Sequence, residues 1–328
     1  MEIWLSLYIA LMTILGIYGI VNVILNLIYF HIMGKAEKNT DGPLISVVIP
    51  ARNEEGNIGN LLDSMIVQDY RNIEILVIND QSTDRTGEIL EEYRKRDSRI
   101  QVFSTESGKQ YHVNGKINAL LQLIPHANGE YILATDADTV HKSDCISFAY
   151  SVMKAHSLDI ISGFPKELCH SYFGNICMSA MMLTTVFIPQ WFIHRFPIPA
   201  ASFAIGQFIM MKKSAYDETG GYDRIRGEIC DDIGIVRLFV RNGKKYSFID
   251  LSKHSACLMY RTAKESFKGI ERSIAGVIPP KLTMLLPIVI AVAVLLHIAL
   301  SPIAAAMLLM AEGLTTGSVA MLAGTVLF

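Results

Sequence analysis

The chain has 328 residues, 51% hydrophobic and only 18% charged, with a mean hydropathy of +0.34; soluble domains usually carry about a quarter charged residues, which argues against a purely soluble protein. Twenty-nine basic against 31 acidic residues leave a net charge of −2, and no basic arm points to nucleic acid as a partner. Five scattered cysteines without a C-x-x-C read as reduced thiols filling core positions, neither bridges nor zinc ligands.

From Ile3 to Gly34 there is no Asp, Glu, Lys or Arg. That run is long enough to cross a bilayer, which takes about 20 apolar residues. Glu2 stands where a signal peptide would have a basic n-region, and no small-residue cleavage pattern follows. A retained transmembrane helix over 1–34 is the expectation. Lys35 and Lys38 follow it and no basic residue precedes it, which places the next segment in the cytoplasm.

Residues 42–272 read as one globular block. Leu44–Ile49 is a short apolar run of the kind that forms a buried parallel strand. Ile58, Leu61, Leu62, Met65 and Ile66 then recur at helical spacing. Ile73–Ile78 reads as a second strand, and Asp84 as the N-cap of a helix over 85–97. Tyr131–Thr135 is a later strand. Strands alternating with helices imply an α/β domain with a mainly parallel sheet. The stretch 168–211 has few charges, prolines at 189, 197 and 199, and a run of Met and aromatic residues around Trp191 and Phe192. It is either a core helix with a loop or an interfacial segment lying against a membrane. Beyond it, 282–328 is expected to form a C-terminal transmembrane region of one or two helices; 313–328 is only marginally long for a span.

The strand ends carry the chemistry. After the first comes Pro50-Ala51-Arg52-Asn53-Glu54-Glu55, after the second Asn79-Asp80-Gln81-Ser82-Thr83-Asp84, and after the later one Asp136-Ala137-Asp138. Open α/β sheets bind ligands outside the carboxyl ends of their strands. Crowded carboxylates repel one another unless donors or a cation offset the cost. No G-x-G-x-x-G or G-x-x-x-x-G-K-[ST] is present, so nucleotide phosphates need another anchor. Mg²⁺ or Mn²⁺ held by Asp136 and Asp138 would serve, with donor phosphates completing the shell. Lys116, opening a helical segment, is either a point charge facing a diphosphate or a solvated lysine. Asp231 and Asp232 open an amphipathic segment; they are either capping carboxylates or the source of a general base.

Together these segments resemble family 2 glycosyltransferases of the GT-A fold. The matching pieces run from Val47-Val48-Ile49-Pro50-Ala51-Arg52-Asn53-Glu54-Glu55 through Ile78–Asp84, Gly115–Leu120, Asp136-Ala137-Asp138, Gly206–Met211 and Gly220-Gly221-Tyr222 to Asp231-Asp232. The resemblance implies a Rossmann-like nucleotide-diphospho-sugar transferase domain between N- and C-terminal transmembrane helices. Pro50, Ala51 and Glu54 would line the nucleotide pocket and Asp80 would hydrogen-bond the uracil edge. Asp136 would contact the ribose or metal side and Asp138 would ligate the metal. Asp232 would be the catalytic base, with Asp231 second in line, and His254 falls where some relatives place a histidine near the diphosphate. The Q-x-x-R-W motif of processive synthases is absent from 260–272. The pattern is closest to membrane enzymes that glycosylate lipids, such as the carotenoid- and hopanoid-associated branch and ceramide glucosyltransferases.

The expected reaction is inverting, metal-dependent transfer of one sugar, UDP-linked by the resemblance, to a hydroxyl or carboxylate of a lipid-like acceptor in the cell membrane, by a multi-pass protein with a cytoplasmic catalytic domain. Competing readings are a polyprenyl-phosphate glycosyltransferase, a small polysaccharide synthase, or a non-catalytic membrane-anchored protein that binds nucleotide sugars; too few spans argue against a transporter.

Overall fold

The computed structural model describes residues 2–106, 114–169, 188–228 and 230–260, with single positions at 172, 174–176, 178, 262, 264 and 269. The expected C-terminal membrane region, Gly108-Lys109 and most of 170–187 lie outside the described residues. The chain divides into two compact units, Asn22–Glu271 and a second made of 1–21 with 272–328.

The charge-free N-terminal run forms one helix, α1, over Glu2–Met33. Its last three turns belong to the Asn22–Glu271 unit, where Tyr29 and Met33 are part of the core. β1 (Ile45–Ala51), α2 (Ile58–Ile66), β2 (Ile73–Asn79), α3 (Thr86–Arg96) and β3 (Ile100–Ser104) follow in βαβ order. α2 forms because Ile58, Leu61, Leu62 and Met65 share one face, and all four are buried. α3 begins one residue later than expected. Asp84 lies just ahead of its N-cap position and does two jobs: one oxygen accepts from the Thr86 amide (3.0 Å) and the other from the Glu55 amide in the neighbouring loop (3.1 Å).

Next come α4 (Gly115–Leu123), β4 (Tyr131–Ala134), β5 (Thr139–His141), α5 (Cys145–Ala155), β6 (Ile160–Phe164) and β7 (Lys166–Cys169). After them lie α6 (Gln190–Arg195), β8 (Ile209–Lys212), α7 (Lys213–Thr219), α8 (Asp231–Arg241), β9 (Tyr246–Asp250) and β10 (Ser255–Tyr260). Seven strands form the main sheet in the order β3-β2-β1-β4-β8-β6-β9. Only β8 runs against its neighbours β4 and β6. The alternation of apolar residues divides the core. Val47, Ile49, Ile75 and Val77 pack beneath α2 and α5, while Val48, Leu76, Ile78 and Ile132 pack beneath α4 and α8.

The chain runs outward from β1 to β2 and β3, then returns to lay β4 on the other side of β1. That reversal is a topological switch point, where a crevice opens at the carboxyl ends of β1 and β4. A small second sheet, β5-β10-β7, stands beside it. Cys145 and Cys257 are buried free thiols, as expected of core cysteines, and no described cysteine is bridged.

Candidate active site

Two loops build one wall of the crevice. Asn53 and Gln81 both adopt left-handed backbone (φ 56° and 54°), a conformation uncommon outside glycine that Asn tolerates best. The turns are stitched together: the Asn53 amide donates to Ser82 Oγ (3.0 Å), and Asn53 Oδ1 accepts from the Thr83 amide (2.8 Å). The Glu54 amide donates to Thr86 Oγ1 (2.8 Å), which fixes Glu54 at the mouth. Ala51 is buried at the end of β1, one residue past Pro50, and its carbonyl accepts from the Asp80 amide (2.8 Å). Asp80 is nearly buried. Its Oδ1 accepts from the Thr105 hydroxyl at 3.0 Å, and its Oδ2 lies 3.7 Å from the exposed Arg52 guanidinium.

The centre is an acidic cluster around one ammonium. Lys116, on the first turn of α4, lies 2.6 Å from Asp136 Oδ1 and 3.1 Å from Asp231 Oδ2. Gly206 backs onto the same spot: a Cβ there would sit 3.0 Å from Lys116 Nζ, 3.4 Å from Asp136 Oδ2 and 3.6 Å from Asp232 Oδ2. The neighbouring Gly115 faces Asp80 Oδ2, so α4 ties the first wall to the centre. Asp232 Oδ1 accepts from the Ile233 amide (2.8 Å), which aims its other oxygen at the cluster. Asp138 hydrogen-bonds the buried Cys257 thiol and feels the charge of Glu54.

Burial pushes Asp136 up to about 6, against the pull of Lys116, with Asp138 and Asp231 adding to the rise. Burial, then Asp231, pushes Asp232 up to about 7. Asp138 is raised by burial and by Glu54. Burial opposes the charge on Lys116, but Asp136 and Asp231 outweigh it and hold the ammonium well above the usual lysine range. The buried hydroxyl of Tyr222, from the Gly220-Gly221-Tyr222 turn, has no hydrogen-bond partner among the described residues and also faces this charge.

The sequence profile of glycosyl transferase family 2 matches residues 46–220, which hold Ala51, Glu54, Asp80, Thr105, Lys116, Asp136, Asp138 and Gly206. The chain belongs to that family. It is 26% identical over 215 residues to the glycosyltransferase GlyG of Streptococcus pneumoniae serotype 4, across 63% of this chain and 68% of that protein. It is 32% identical over 148 residues to a beta-monoglucosyldiacylglycerol synthase of Nostoc, across 44% of this chain and 30% of that protein. The glycosyltransferase thus spans about two thirds of the first relative's length and under a third of the second's. Its fold matches the mannosyltransferase PcManGT from Pyrobaculum calidifontis, solved with GDP-Man and Mn²⁺, at a TM-score of 0.56 and 18% identity over 97% of this chain and 91% of that one.

Do the residues of this glycosyltransferase fit a divalent cation? Asp136 and Asp138 offer hard oxygen donors, and four carboxylates face the single charge of Lys116, so a cation would relieve the burden that raises the aspartates. Among the described residues no three His, Cys, Asp or Glu side chains form a ready-made cage. Two such carboxylates are what Mg²⁺ or Mn²⁺ would use, since these ions complete their shell with water and phosphate oxygens.

The fold therefore brings Asp80, Lys116, Asp136, Asp138, Asp231 and Asp232 to one crevice, with Ala51 and Glu54 on its wall. Lys116 points at carboxylates, its nearest countercharges. His254 is elsewhere in the fold: its ring stacks on Phe148 (centroids 4.0 Å apart) and contacts Asp144 at 3.1 Å. Sequence reading did not single out Thr105 or Cys257. Neither sits in a recognisable motif; each arrives from a neighbouring strand.

Proposed function

We propose that this glycosyltransferase transfers a single sugar, with inversion, from a UDP-linked donor to a lipid-like acceptor at the cytoplasmic face of a membrane. The observation that carries it is the meeting of Lys116, Asp136 and Asp232, from three distant segments, around the backbone of Gly206. Asp80 Oδ1 is taken by Thr105, which leaves Oδ2 to accept from the N–H of a uracil edge. Ala51 and Glu54 flank the nucleotide. The acceptor hydroxyl attacks the anomeric carbon opposite the diphosphate. A new C–O bond forms, the C–O bond to the diphosphate breaks, and its electron pair leaves with the phosphate. Asp232, desolvated and basic for a carboxylate, takes the hydroxyl proton. Lys116 can swing from its aspartates to the diphosphate as a point charge. Asp138 with Asp136 would hold a divalent cation, which supplies countercharge to the leaving diphosphate. The apolar α1 supports a membrane location, and the diacylglycerol acceptor in the Nostoc relative's name supports a lipid one.

The test is a donor screen: purified protein, Mn²⁺ or Mg²⁺, a panel of nucleotide sugars and a lipid extract, read by mass spectrometry. One donor should give a glycolipid. Asp232→Asn should lower turnover by about 10²–10⁴-fold while nucleotide affinity holds, and Asp138→Ala should weaken donor binding. Donor binding with no transfer to any acceptor would instead assign the chain a binding role.

A further inference from the structure

α1 carries two asparagines in its largely apolar second half, and both are buried: Asn22 is 2% exposed and Asn26 6%. A buried amide is costly unless hydrogen-bonded. Among the described residues, one distant segment supplies several partners. Asn26 Oδ1 accepts from the backbone amides of Gln190 (2.9 Å) and Trp191 (3.4 Å), and its Nδ2 donates to the Ile188 carbonyl (3.0 Å). Asn22 Oδ1 accepts from the Trp191 indole N–H at 3.0 Å. The cap residue of α6, Pro189, has no capping side chain, so Asn26 satisfies the first amides of that helix from outside. One turn on, the Tyr29 hydroxyl donates to the Phe248 carbonyl (2.9 Å). The clamped segment then runs directly into the active centre at Gly206, and the Tyr246 hydroxyl pins it on the way through the Phe203 carbonyl.

The opposite face of α1 is apolar and exposed at Ile20, Val21, Ile24, Leu27 and Ile28; Leu27, beside the clamp, is 64% exposed. Trp191 is held by its N–H but remains 38% exposed, and Phe196 is 57% exposed. An indole with a bonded N–H and an uncovered ring suits the boundary between lipid and water.

Resting on the proposed membrane location, we propose that Asn22 and Asn26 are positioning residues that fasten the 188–198 segment to the membrane helix, so that Trp191 and Phe196 rest in the interfacial layer of the bilayer. The occupant of this surface is lipid, because the exposed side of the same helix offers no polar group to water across the clamped turns. The clamp joins the Asn22–Met33 turns of α1 to the segment that leads into Gly206.

The sequence has two tryptophans, Trp4 and Trp191. A Trp4→Phe chain leaves Trp191 as the sole indole reporter in phosphatidylcholine–phosphatidylglycerol vesicles containing brominated lipids. Bromines high on the acyl chains should quench Trp191 by at least twofold more than bromines deep in the bilayer. Asn22→Leu with Asn26→Leu, which keeps α1 apolar, should abolish that depth preference. The same pair should raise the KM for a membrane acceptor while slow donor hydrolysis in water is unchanged. Absence of quenching at every depth, or an identical depth profile in the clamp variant, overturns the proposal; cross-linking of Trp191 to a second copy in place of quenching does so too. Quenching needs no sugar transfer, so a wrong acceptor would leave this result standing.

Discussion

Gly206 lacks a side chain at the point where three charged groups converge, and the geometry says why. A methyl there would press Lys116 Nζ at 3.0 Å and sit in ordinary contact with two carboxylates. Because Lys116 Nζ ends a flexible chain, it is the lysine that would move. Gly206→Ala should therefore lower kcat/KM, by less than the roughly 10²-fold that a misplacement of about 1 Å costs, and leave the melting temperature nearly unchanged. A steady-state assay beside a thermal melt checks both. Thr105 acts on the other wall. Thr105→Val removes the donor that occupies one oxygen of a nearly buried carboxylate. A lost hydrogen bond of this kind is worth about 1 kcal/mol, so nucleotide affinity should fall about fivefold by calorimetry. The preference for uridine over guanosine nucleotides should shrink with it, because Asp80 would no longer be held in one orientation.

At the scale of elements, α1 is one helix with two tasks. Residues 2–21 fall in one compact unit and Asn22–Met33 in the other. Tyr29 and Met33 are buried in the same core as β1 and α2. Deleting residues 1–21 should leave the catalytic unit folded in detergent. Deleting 1–33 removes two large buried side chains, each worth about 1.5–3 kcal/mol. The melting temperature should then fall by about 10 °C, measured for both truncations by scanning fluorimetry. The two loops after β1 and β2 are a second case. Each follows a strand with a left-handed residue, and Asn53, Ser82, Thr83 and Asp84 bind them to one another, so neither loop holds its shape alone.

For the whole molecule, acid stability reports on a group hidden beneath the aspartates. His141 is fully buried, and burial pushes it down to about 3. Its Nε2 lies 2.9 Å from Thr135 Oγ1, whose hydroxyl donates to the Gln207 carbonyl, and its Nδ1 lies 3.4 Å from Cys145 Sγ. The ring thus joins the end of β4 to the residue next to Gly206 and must be neutral to do so. The unfolded histidine titrates near 6.5, so between about 6.5 and 3 the unfolded chain binds the extra proton. Stability from this group is full above about pH 6.5 and falls as pH drops, by at most about 1.4 kcal/mol per unit. His141→Phe should flatten that part of the decline, seen in urea midpoints at pH 7.5 and 5.

Much of this was legible in the residues. The apolar runs at 45–51 and 73–79 and the spacing of Ile58, Leu61, Leu62 and Met65 encode their elements locally, through side-chain period alone. The acidic strand ends were visible because a parallel sheet sends its carboxyl ends to one rim. The pairing of Lys116 with Asp136 and Asp231 was not visible, since charge partners are chosen by distance in three dimensions and the sequence offers 31 acidic residues. Nor was the small β5-β10-β7 sheet, which puts Cys257 beside Asp138 across more than a hundred positions. The clamp between Asn26 and Gln190, 164 residues apart, belongs to the same class. Composition and period therefore determined the class of fold and the acidic rim, and the order of the motifs pointed to the family. Only the packed chain decided which acid meets which base and what Asn22 and Asn26 hold, because hydrogen bonds and ion pairs act over a few ångströms and follow the backbone's return path, not its order.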